Sequence, residues 1–201
     1  VWTVLNTITD VVGLTLCWLL CCLPIVTVFP ATAALYDAVV HGIRYREEGP
    51  YKRFFRTFRA EWKSGILSTL LWGAVLGFFG YLLAVLLTMA RQDSGFSLYA
   101  GVYLAGMLLP IGAACWSAAI ISRFTFSFLA LTGTAVRFVI AHFFRSLGIA
   151  ACTVALAVFT WNYPIWIFAA PACLMLLWSV FAEPVFAKYG AAITPVTPDE
   201  D

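Results

Sequence analysis

Asp37, His41 and Arg44 stand four and three residues apart, and Glu48 continues the series. On a helix that spacing lines them along one face. An imidazole one turn from a carboxylate can act as a general base with its orienting acid. It can also serve as a pH-sensitive contact or line a polar path. A helix lying at a membrane surface carries the same stripe with only water against it. That plainer arrangement takes precedence, because no Ser or Cys nucleophile is placed beside the pair in any fixed way.

The cysteines offer less. Cys17, Cys21, Cys22, Cys115, Cys152 and Cys173 all fall in apolar runs. Cys17 and Cys21 are one helical turn apart, as a metal or redox pair would be, but no His or acidic residue accompanies them. They read as small hydrophobes. There is no zinc-like spacing and no Gly-rich phosphate loop, so no cofactor is expected and nucleic-acid binding has little support.

A second kind of chemistry lies just downstream. Over 51–63 the aromatics Phe54, Phe55, Phe58 and Trp62 fall on one helical face, and Lys52, Arg53, Arg56, Arg59 and Lys63 on the other. Rings at acyl-chain depth and cations among headgroups make an interfacial helix on an anionic inner leaflet, at about 1 kcal/mol per cation. These nine residues form the expected membrane-surface or partner-docking face. Arg137, His142, Phe143, Phe144 and Arg145 form a second basic and aromatic cluster.

The elements that carry these groups follow from composition. Of 201 residues, 63% are hydrophobic and 11% are charged. A soluble domain carries about 25% charged residues, so lipid must be the solvent for most of the chain. Runs of about 20 apolar residues cross the hydrocarbon. They predict an all-α, polytopic membrane protein with spans at about 4–28, 64–90, 97–121, 146–161 and 165–182. Interfacial helices are expected over 31–46, 51–63 and 129–145. All belong to one integral membrane domain, 1–189, followed by a disordered tail, 190–201. The first run reads as a mature span and not a signal peptide.

Within that frame Asp10 either lies inside the first span or caps a helix starting at Val11; capping is preferred. Pro24 and Pro30 bracket the exit from the first span. Gly73 and Gly77 form a small-x-x-x-small pattern suited to helix packing, within the chain or in a homo-oligomer. Lys and Arg number seven, one, three, none and one in the successive connections and tail. That alternation predicts the N-terminus outside and the C-terminus inside. Phe54-Phe55-Arg56 and Phe143-Phe144-Arg145 also suggest two parallel copies of one unit.

Cys22-Leu23-Pro24-Ile25-Val26-Thr27, followed by Pro30-Ala31-Thr32, Ala34-Leu35-Tyr36 and then Phe54, Phe55 and Phe58, resembles the YesL-like family of bacterial membrane proteins. Phe29 stands where members often carry Gly. The resemblance implies a multi-pass protein of the bacterial cell membrane with no established activity, near carbohydrate-uptake functions. It carries over no catalytic residue. The expected role is a non-enzymatic accessory or scaffold subunit associated with a carbohydrate transporter. The alternatives are a small oligomeric transporter or channel and, last, a membrane enzyme using His41 and Asp37.

Overall fold

The computed structural model describes residues 2–45, 49–92, 95–124 and 128–190. Among them there are eight α-helices and no strand: α1 (Trp2–Cys21), α2 (Val28–Val39), α3 (Pro50–Ala60), α4 (Trp62–Gln92), α5 (Gly95–Ile121), α6 (Phe128–Ala141), α7 (Phe143–Asn162) and α8 (Ala170–Gly190). Short 3-10 turns precede α2 (Ile25–Thr27) and α8 (Pro164–Phe168), and α2 runs on into a π-helical turn, Val40–Arg44. Among the described residues five helices are long and apolar enough to cross a membrane: Ile25–Arg44, Trp62–Arg91, Gly95–Ile121, Phe143–Asn162 and Ala170–Lys188. Residues 191–201 of the expected tail and Glu48 of the stripe lie outside the described residues, and Gly190 closes α8.

Local sequence explains most of the boundaries. Gly49 takes a left-handed φ of 77°, and Pro50 follows at the first position of α3, where its missing N–H costs nothing. The hydroxyl of Thr27 reaches the carbonyls of Cys21 and Pro24. It therefore gives the Cys21 carbonyl a donor at the end of α1, while the Pro24 carbonyl also receives the Thr27 N–H. Pro171 falls in the first turn of α8, which then continues through Pro184. The expected fifth span starts too early as a result: residues 164–168 form the 3-10 turn, and α8 carries the chain beyond 182. The expected helix 129–145 is likewise two elements. It breaks at His142, so Phe143, Phe144 and Arg145 open α7.

The largest departure is α2. Expected at the surface with its stripe in water, it is the centre of the protein. Ala31, Ala33, Ala34, Leu35, Tyr36, Ala38, Val39 and Val40 have no exposed surface. Helices α1, α3, α4, α5 and α8 all pack on it. Four alanines let those helices approach closely, and between helices solvated by lipid such van der Waals packing is a main source of association. The expected first span, 4–28, is instead one leg of a hairpin. Asp10 lies inside continuous helix and accepts a hydrogen bond from Tyr51, so it is not a cap. Gly13 packs against Tyr51, and Gly42, at the other leg's end, packs against Pro50. The middle of α1 and the π-helical turn after α2 therefore both meet the first turn of α3. The closed end, with Leu23 and Ile25 strongly exposed, points away from it.

Around this hairpin, α4 and α5 pair, α5 packs on α6 and α7, and α7 packs on α6 and α8. Trp116, fully buried, donates to Ser146 at 2.8 Å and meets Phe138 and Phe186 edge-on. Trp72 donates to Ser117 at 2.9 Å. The Gly73 and Gly77 pattern packs nothing within the chain. Both glycines are exposed, with no other group within 4 Å of where a Cβ would sit. Gly65 makes the close approach instead, because a Cβ there would meet the Pro30 ring at 2.7 and 2.8 Å. The two Phe-Phe-Arg clusters also differ: Phe54 is fully buried, whereas Phe143 and Phe144 are exposed.

Candidate functional site

The polar stripe is built into a buried charge network. Asp37, 3% exposed, accepts from Arg53 Nε at 3.0 Å and from Thr57 Oγ1 at 2.7 Å, both on Oδ2. His41 Nε2 lies 3.4 Å from Asp37 Oδ1 and 3.0 Å from Arg123 Nη1. The other arm of Arg123, Nη2, donates to Glu183 Oε1 at 2.7 Å. Tyr36 and Tyr45 donate their hydroxyls to the same carboxylate at 3.1 and 3.0 Å. Arg44 donates to Ser179 at 2.8 Å. Helices α2, α3 and α8 and the residues just after α5 are thus tied together at one end of the bundle.

This geometry decides what His41 can do. A guanidinium only donates, so in its contact with Arg123 the ring nitrogen Nε2 is the acceptor. In a base–orienter pair the carboxylate holds one ring nitrogen while the other faces substrate. Here the neighbouring carboxylate and the guanidinium crowd the same nitrogen. The π-helical turn at Val40–Arg44 widens the helix where His41 and Arg44 leave it, a distortion that often accompanies functional positions. Burial, then the Glu183 carboxylate, push the Tyr45 phenol above its ordinary range, keeping its hydroxyl a donor.

Arg53 and Phe54 leave the expected docking face. Arg53 turns inward to Asp37, and Phe54 enters the core with Phe58 stacked on it. The physical reason is the buried Asp37 carboxylate, which needs a cation. What remains outside is Lys52, Phe55, Arg56, Arg59, Trp62 and Lys63, all exposed, with Phe58 half-buried. Phe55, Arg56, Phe58, Arg59 and Trp62 line an open cavity of about 840 Å³. In the second cluster Arg137, Phe143, Phe144 and Arg145 are exposed and His142 is half-buried. Burial, then Arg145 and Lys188, hold the His142 imidazole below its ordinary value.

Residues 11–87 match the family model described as protein of unknown function, DUF624. The matched stretch holds Asp37, His41, Arg44 and the whole of α3, and leaves out Arg123 and Glu183. No curated protein and no solved structure matches the chain.

Sequence reasoning missed Arg123, Glu183, Tyr36, Tyr45, Thr57 and Ser179. Two of them left a trace: Arg123 and Glu183 are charges close to the ends of apolar runs, where an ionised group needs a partner. The hydroxyls within the apolar helices, which a polar path would need, are committed to the backbone. Thr15, Thr69, Ser117 and Thr153 each donate to the carbonyl four residues back, and Thr88 to the one three back. Among the described residues no group of three or more His, Cys, Asp or Glu is arranged to hold a metal ion.

Proposed function

We propose that this chain is a non-enzymatic, multi-pass protein of the bacterial cell membrane that presents α3 as a docking face at the cytoplasmic surface. One observation carries this: the charges of the α2 stripe engage partners within the chain, whereas Lys52, Arg56, Arg59 and Lys63 stand exposed beside Phe55 and Trp62. Such a surface suits an anionic leaflet, or an acidic partner held against it, at about 1 kcal/mol per cation. The excess of Lys and Arg near α3 favours the cytoplasmic side. With α1 folded back along α2, the N-terminus would lie on that same side, opposite to the outside position that the charge alternation alone predicts.

The partner suggested by the YesL-like resemblance is a subunit of a carbohydrate transporter, to which this chain would be an accessory or scaffold. The test is co-purification with that subunit from the native membrane, comparing wild type with the triple variant Arg56→Glu, Arg59→Glu and Lys63→Glu. Arg53 is left intact because Asp37 depends on it. Loss of the subunit from a correctly inserted variant is the expected outcome. Unchanged recovery would rule out this face.

A further inference from the structure

At the closed end of the α1–α2 hairpin lies a second cavity, of about 770 Å³, away from the charge network. Its walls come from α1, α2, α4, α5, α7 and α8 and include Trp18, Phe29, Leu76, Cys115, Leu156 and Met175. No charged side chain lines it. Its polar groups are already occupied. Trp18 donates to Thr32 at 3.2 Å and Thr32 to the Val28 carbonyl; Trp178 donates to Thr153 at 3.0 Å and Thr153 to the Ile149 carbonyl. Thr160 donates to the Leu156 carbonyl. Water entering the space would find few free partners, and apolar cavities of this kind take up hydrocarbon instead.

The surroundings indicate which hydrocarbon. Five of the six walls belong to helices apolar and long enough to span a membrane. The surface beside the cavity is apolar and exposed, as at Leu20, Val158 and Ile165. One rim carries Trp161, 88% exposed, close to exposed Tyr163 and Trp166, the residue types that sit at headgroup level. The volume falls in the range of small-ligand sites. The connection at that rim, 163–169, has no Lys or Arg, so nothing there selects an anionic head.

We infer that this cavity binds one hydrocarbon chain of a membrane lipid, with the lipid's head at the Trp161 rim. The site is independent of the α3 docking face, and its occupant is chosen by its chain and not by its charge.

The experiment reconstitutes the full chain in two vesicle preparations, one of phosphatidylcholine and one of phosphatidylglycerol. Each carries the same lipid with a photoactivatable group on one acyl chain, and labelled residues are mapped by mass spectrometry. In wild type, label should concentrate on cavity residues such as Leu156, Leu174 and Met175, equally from both lipids. Ala157→Trp, which fills the cavity from an exposed position, should cut that labelling about tenfold. Val158→Trp, exposed and outside the cavity, should leave it unchanged. Label spread over the outer face of α4 at Leu70 and Phe78, labelling from phosphatidylglycerol alone, or equal labelling in the two Trp variants would overturn the assignment. The wild-type map decides by itself if Ala157→Trp does not fold.

Discussion

Replacing Asp37 with Asn keeps the shape of the side chain but removes the charge that holds α2 to α3. The carboxylate is almost fully buried and receives Arg53 Nε at 3.0 Å and Thr57 Oγ1 at 2.7 Å. Breaking a buried ion pair by removing one partner costs about 3–5 kcal/mol. The Arg53 side chain retains 26% exposure, so its guanidinium can turn partly to water, which lowers the expected loss to roughly 2–3 kcal/mol. At roughly 2–4 °C per kcal/mol for a chain of this size, Asp37→Asn should lower Tm by about 5–10 °C. The readout is thermal unfolding in detergent micelles, followed by tryptophan fluorescence. Arg53→Gln tests the pairing. The double variant should be less destabilised than the sum of the singles, with a coupling of about 1–2 kcal/mol. A Tm drop below 2 °C, or strict additivity, would refute the pairing and with it the inward position of the stripe.

Three further outcomes follow from the same packing. Gly65→Ala forces a Cβ against the rigid Pro30 ring and should cost about 1–3 kcal/mol by overpacking, whereas Gly73→Ala, with open space around it, should be neutral or slightly stabilising; the two Tm values check this directly. Arg123→Lys cannot reach His41 and Glu183 as a fork does, and it should destabilise by about 1–3 kcal/mol, measured as a Tm shift and relieved by Glu183→Gln. His142 is held below its ordinary pKa by burial and by Arg145 and Lys188, so the unfolded chain takes up its proton first and the contribution of this group falls as pH drops below its ordinary value; Tm of wild type should decline more between pH 7.5 and pH 5.5 than Tm of His142→Gln.

The long helices were legible because each is a run of apolar residues with few charges. Both α4 and α5 lie within a few residues of where hydropathy puts them. The position of α2 was not legible. Asp37, His41 and Arg44 at helical spacing look the same whether they face water or a buried partner. Their partners Arg53, Thr57, Arg123 and Ser179 are brought in from as far as α8. Periodicity fixes a face but not what covers it. The same limit explains Gly73 and Gly77, a pattern that permits close packing without supplying a neighbour, and Arg53, whose place on the basic face of α3 gave no sign of Asp37 beneath it. Asp10 misled for a local reason. An acid before an apolar run suits a cap, yet the helix here continues through it toward Tyr51.

The burial of α2 is the central claim, since both the closed charge network and the outward role of α3 depend on it. It is tested most directly by thiol labelling in a variant with the six native cysteines replaced by Ala. Ala38→Cys, at a position with no exposed surface, should resist a water-soluble maleimide in the native membrane and react only after denaturation. Arg56→Cys, on the exposed face of α3, should react at once when both sides of the membrane are accessible. Equal native-state labelling at the two positions would place α2 at the surface and contradict the account.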